Sequence, residues 1–148
     1  MAVLGAPIHR TISFFGHMLY SFCSDFRFTK NSPIAWTGRP DRPEGELEIM
    51  PVSTAGKSWQ DKIEEARAEI KKAGCEGLII TMLDEVAWLF NLRGTDIPFN
   101  PLFFSYCYVG SNTVKLFMNQ KQATSDVRAH LEGVEICNYG DTRSFLER

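Results

Sequence analysis

The sequence predicts an α/β fold, a three-layer arrangement in which a mixed β-sheet lies between helices. Three observations carry this expectation. An amphipathic helix pattern occupies residues 58–74, short apolar runs of strand length alternate with further helical patterns, and one pair of runs reads as a hairpin.

The helix over 58–74 is the plainest element. Ser58 with Asp61 three residues on resembles a capping box, with Asp in place of the preferred Glu. Trp59, Ile63, Ala66, Ile70 and Ala73 recur at steps of four and three and form one apolar stripe. Lys62, Glu64, Glu65, Arg67, Glu69, Lys71 and Lys72 are expected on the other face. Gly74 stands where a helix end favours a left-handed residue. "EGLIIT" at 76–81 follows at once as a buried-strand candidate. "LDEVAWLF" then reads as a short helix with Asp84 and Glu85 complementing the dipole of its first turn. "LFFSYCYVG" at 102–110 and "TVKLFM" at 113–118, joined through "GSN", give the hairpin. "TSDVRAHLEG" at 124–133 reads as a capped helix closed by Gly133. "VEIC" at 134–137 is a further strand, and Asp141 is placed to cap a final helix, "TRSFLER".

Before this domain the pattern changes. Pro33, Pro40, Pro43 and Pro51 punctuate residues 33–57, which read as a Pro-rich connector with Trp36 pinning an extended segment to a neighbouring surface. Residues 1–32 form an atypical extension. Its apolar run "TISFFGHMLYSFC" is interrupted by Gly16 and His17, lacks a small-residue cleavage motif, and is too short to span a bilayer.

Bulk composition excludes some functions. The 148 residues carry a net charge of -2, with 44% hydrophobic and 23% charged residues, so neither a nucleic-acid nor a membrane partner is expected. Cys23, Cys75, Cys107 and Cys137 form no CxxC pair and read as reduced, packed thiols. Of the histidines His9, His17 and His130, only His130 has a helical partner, Asp126, four residues away, and such a couple is a weak metal signal. No HExxH, phosphate loop or GxSxG is present.

The chemistry-bearing group is the polar exit from the "AWLF" helix: Asn91, Arg93, Gly94 and Asp96. Gly94 or Asn91 fits a helix end, and Arg93 fits an internal pair with Asp96 or Asp84. The alternative is an Arg93 that faces a substrate or partner.

The stretch "SWQDKIEEARAEIKKAGCEGLIITMLDEVAWLFNLRGTDIPFNPLFFSYCYVGSNTVKLF" resembles the second amino-terminal domain of the eukaryotic Xaa-Pro aminopeptidases, with "DEVAWLFNLRG" and "NPLFFSY" its most specific parts. The resemblance runs from about residue 33 to the carboxyl end. It implies a creatinase/prolidase amino-terminal fold over 58–148. It also implies a role in a cytoplasmic metallopeptidase that removes the residue before an amino-terminal proline. The family's metal ions, usually manganese, sit in a separate carboxy-terminal domain, so this chain is expected to hold no cofactor and to be inactive alone. The amino-terminal domain would wall the active-site cleft and help arrange subunits. Its partners would be the catalytic domain or a second subunit, and in the full-length enzyme proline-containing peptides. Asn91, Arg93, Gly94 and Asp96 match the motif as structural or cleft-facing positions. A second reading is an independent, truncated interaction protein that pairs with a full-length subunit. A third is a self-contained enzyme, which requires His130 or Cys107 in a pocket with a partner.

Overall fold

The computed structural model describes residue 38 and residues 40–147. The 1–32 extension, Trp36, Cys23, His9 and His17 lie outside the described residues. A compact unit begins at Pro43. Its order is β1 (Glu48–Ile49), α1 (Val52–Ala55), α2 (Trp59–Lys72), β2 (Gly77–Ile80), α3 (Leu83–Phe90), β3 (Leu92–Arg93), β4 (Ser105–Gly110), β5 (Val114–Met118), α4 (Ser125–His130), β6 (Glu135–Asn138) and α5 (Thr142–Leu146). β1 and α1 both form within the stretch that reads as a connector. β1 does so by pairing antiparallel with β3, a long-range contact that proline spacing does not reveal.

The main sheet is mixed, in the order β2-β4-β5-β6, with antiparallel pairing except for the parallel β5–β6 pair. Register places Cys107 opposite Leu116, Val109 opposite Val114 and Ser105 opposite Met118, and all six are buried. Because side chains alternate along a strand, these six share one face, the face that α2 and α3 cover. The other face carries Tyr106, Tyr108 and Phe117. Phe145 of α5 stacks on it, with ring centroids 5.0 Å from Tyr108 and 5.4 Å from Phe117. Helix, sheet and helix make the three layers expected from the sequence.

The local signals behave as chemistry predicts. The Ser58 hydroxyl accepts from the Asp61 amide at 3.1 Å and donates to the Asp61 carboxylate at 2.6 Å, so the Asp variant of the box closes on the hydroxyl. Gly74 has φ of 69° just past α2, a conformation open to glycine at little cost. Ser111 and Asn112 sit in the hairpin turn, closed by the Gly110 amide donating to the Thr113 carbonyl at 2.8 Å. Some details differ: the helix read over 124–133 ends at His130. β4 starts at Ser105, three residues later than the aromatic run, because Phe103 is used as a buried loop anchor. Asp141 precedes α5 but makes no side-chain cap; it lies in a 3-10 turn over Tyr139–Asp141 that feeds directly into the helix.

Candidate functional site

The polar exit from α3 is a convergence of four segments. Asn91 takes the left-handed conformation at the end of α3, with φ 54° and ψ 41°, and is 3% exposed. Among non-glycine residues Asn accepts this region most readily. Both ends of its side chain are engaged. Nδ2 donates to the Lys57 carbonyl at 2.9 Å, and Oδ1 accepts from Lys62 Nζ at 2.6 Å. Its backbone carbonyl accepts from the Met50 amide at 2.8 Å, which ties the segment beside β1 to the helix end.

Lys62 overturns the expectation that it belongs to the polar face of α2. It is 1% exposed, and its ammonium donates to the Trp88 carbonyl at 2.8 Å and lies 4.2 Å from the Trp88 ring centroid. No carboxylate among the described residues pairs with it. The positive charge is held instead by the Trp88 carbonyl at the negative end of α3, by the Trp88 aromatic face and by the Asn91 amide oxygen. Burial, and after it the nearby Arg93 and Lys57 charges, lower the Lys62 pKa. Trp88 is half-buried as a cover over this cation, while Leu89 and Phe90 are in the core.

His130 completes the helix end. Its Nε2 lies 2.9 Å from the Phe90 carbonyl; since a carbonyl only accepts, that nitrogen carries the hydrogen. The His130 carbonyl in turn accepts from Trp59 Nε1 at 2.9 Å. His130 is therefore a packing bridge and not a partner of Asp126. Among the described residues no group of three or more His, Cys, Asp or Glu is placed to hold a metal ion.

Beyond Asn91 the motif divides. Gly94 is buried where a Cβ would lie 2.6 Å from Phe103 Cβ and 3.1 Å from the Leu102 carbonyl oxygen, so its role is close approach and not helix termination. Asp96 is 3% exposed, and both its oxygens are spent on structure. Oδ1 accepts from the Gly45 amide at 3.0 Å and from Gln122 Nε2 at 2.9 Å, while Oδ2 accepts from the Phe104 amide at 2.9 Å. Neither Arg93–Asp96 nor Arg93–Asp84 forms an ion pair. Arg93 is half-buried, sits opposite Glu48 in the β1–β3 ribbon, and its Nη1 donates to the neighbouring Leu92 carbonyl at 3.3 Å. Of the four motif residues it alone has a side chain whose main donors are uncommitted among the described residues.

Among the described residues, neither Cys107 nor Cys137 is poised as a nucleophile. Cys107 is buried in β4 and burial pushes its thiol far up; Cys137 is half-buried, and burial followed by the Glu135 charge raises its thiol too. Glu85 is raised by partial burial and then by Asp84 beside it. Lys62, Gln122 and the Gly45 amide are missed by sequence reasoning, because nothing local marks a lysine, a glutamine or a connector glycine as part of a distant helix end.

Fold and motif define a class, the amino-terminal domains of the creatinase and prolidase group, and residues 38–148 match the Creatinase/Prolidase N-terminal domain family: the chain belongs to it. Among individual relatives it is 47% identical over 96 residues to the "Probable Xaa-Pro aminopeptidase P" of Leptosphaeria maculans, covering 65% of this chain and 16% of that protein. With the protein of the same name from Aspergillus niger it is 48% identical over 93 residues, 63% of this chain and 15% of the relative. The crystal structure of X-prolyl aminopeptidase from Caenorhabditis elegans, described as a cytosolic enzyme with a di-nuclear active site, superposes with a TM-score of 0.72 at 34% identity. The match covers 77% of this chain and 19% of that one. The chain thus spans about one sixth of the length of the curated relatives it matches.

Proposed function

We propose that this chain is a non-catalytic amino-terminal domain of an Xaa-Pro aminopeptidase, an enzyme that removes the residue preceding an amino-terminal proline. The observation that carries the reading is a contrast. Fold and motif match aminopeptidase relatives closely, while the matched segment is only 16% of one such relative and 19% of the solved enzyme. In this reading the metal ions, manganese by expectation, belong to a catalytic domain elsewhere in the enzyme. This domain walls the cleft, helps arrange subunits, and partners either that catalytic domain or a second subunit. Proline-containing peptides are substrates of the assembled enzyme, and its compartment is the cytoplasm. No described helix is long and apolar enough to cross a membrane.

Within the domain, Arg93 is the residue proposed to face the cleft. A guanidinium with free donors on a short, well-anchored ribbon can hold a carboxylate of the substrate or of the catalytic domain bidentately. The test is a peptidase assay of the purified 148-residue chain on an Arg-Pro-Pro peptide with added manganese. The expected result is no turnover from a folded, monodisperse sample. Turnover abolished by a chelator would overturn the reading.

A further inference from the structure

Within the stretch that its prolines mark as a connector, residues 44–49 follow the period of a strand. Glu44, Glu46 and Glu48 are exposed, and the alternating Gly45, Leu47 and Ile49 are half-buried. The segment runs antiparallel along the exit from α3 and meets it at three levels. The Gly45 amide reaches Asp96, Glu48 and Ile49 pair with Arg93 and Leu92, and the Met50 amide donates to the Asn91 carbonyl at 2.8 Å.

What receives this segment is built from distant side chains. The main chain of Gly45 is gripped on both sides: its amide donates to Asp96 Oδ1 at 3.0 Å and its carbonyl accepts from Gln122 Nε2 at 2.7 Å. Gln122 Nε2 also donates to Asp96 Oδ1 at 2.9 Å, and the two side chains are 5% and 3% exposed. A Cβ on Gly94 would lie 3.1 Å from Leu47 Cδ2, so the bare glycine makes the seat for that leucine. The acidic outer edge meets cations, with Lys121 Nζ 2.9 Å from Glu44 Oε1 and Arg93 opposite Glu48. Main-chain bonds for hold and alternate side-chain seats for register are the means by which a sheet edge takes an added strand.

We infer that the edge of β3 and the Asp96–Gln122 clamp form a receptor for an extended peptide with acidic outer positions, and that residues 43–50 fill it in cis as a strap that releases as a unit. No residue of the strap is buried, whereas Leu92 on β3 and Cys107, Val109 and Leu116 in the main sheet are each 0% exposed. A segment with so little buried apolar surface opens at a fraction of the free energy that unfolds the core. The site it vacates keeps its shape. Asp96 Oδ2 still accepts from the Phe104 amide at 2.9 Å and Oδ1 from Gln122, and β3 stays fixed through Leu92. In the parent chain α1 begins two residues after the strap, and a short tether holds it at an effective concentration on the order of millimolar, which excludes a peptide in trans.

Native-state hydrogen exchange on the 148-residue chain tests the strap without any substitution. The Gly45 and Met50 amides, one towards each end, are expected to show protection factors within about threefold of each other and about a hundredfold below those of the slowest β4 amides. Protection equal to that of β4, or a difference of more than about tenfold between Gly45 and Met50, overturns release as a unit. The receptor is tested with Met50→Pro, which removes the donor to Asn91 and leaves β3, Asp96 and Gln122 unaltered. A labelled peptide PEGELEIMP, the sequence of residues 43–51, is expected to bind this variant at least about tenfold tighter than the parent, read by fluorescence anisotropy. The same peptide N-methylated at the glycine is expected to bind neither, since it has no donor for Asp96. A folded Met50→Pro chain that takes no peptide, or that takes both peptides equally, overturns the receptor. Unfolding of the whole domain by Met50→Pro makes the strap part of the core and overturns the inference outright.

Discussion

At Asn91 one side chain and one carbonyl join four segments: the end of α3, the loop before α2, α2 itself, and the residue after β1. Replacing Asn91 by Ala removes both amide bonds, strands the Lys62 ammonium in a buried site, and puts a Cβ residue without local hydrogen bonding into the left-handed region. Each loss costs on the order of 1 kcal/mol or more, so a drop of about 3 kcal/mol is expected from urea unfolding. An effect within 0.5 kcal/mol, roughly the size of an ordinary surface substitution, would contradict the network. Gly94 fails differently. Adding a methyl 2.6 Å from Phe103 Cβ forces the ring or the backbone to move, since the nearest group is the root of a fully buried side chain and not a flexible tip. Gly94→Ala is expected to cost about 2–3 kcal/mol, checked by the denaturation midpoint at constant slope. Both residues were singled out from the sequence. Their mechanisms were not legible there, because the clashing Phe103 and the bonded Lys57 and Lys62 are distant along the chain.

At the scale of elements, α2 and α3 are joined by a buried cation seated on a helix end. Burial lowers the Lys62 pKa in the folded state, so between the folded and unfolded values the unfolded chain binds more protons. Stability conferred at this position therefore rises with pH through that window and is lost as pH falls through the folded value. Compared with Lys62→Met, the parent should gain stability as pH is raised towards the ordinary lysine value of about 10.4. Parallel stability–pH curves for the two proteins would exclude a depressed lysine. Helical periodicity placed α2 correctly but assigned Lys62 to solvent: the 3.6-residue period sorts residues by angle, and Lys62, next to Ile63, sits at the margin of the apolar stripe. Only the approach of α3 brings that margin inside.

For the molecule as a whole, the core among the described residues runs from Trp59 on α2 to Leu131 after α4, with α5 closing the second face of the sheet. A fragment of residues 43–148 is expected to unfold in a single cooperative transition, with calorimetric and van't Hoff enthalpies in agreement. Two separate transitions would show that this core is not one unit.

The sequence by itself determined the elements of the main sheet, the helices that cover it and the layering, but not β1, α1 or β3. Helix caps, apolar periods of 3.6 and 2, and turn residues are local, and they specify α2, the hairpin and the alternation of helix with strand wherever they agree. It also determined the family, because the "DEVAWLFNLRG" motif is specific in its own right. The tertiary structure decided which polar residues are spent and which remain. Asn91, Gly94 and Asp96 are consumed by helix closure, close packing and loop anchoring. Arg93 keeps most of its donors. That division depends on which distant backbone groups need partners once the layers close, a demand that exists only in three dimensions.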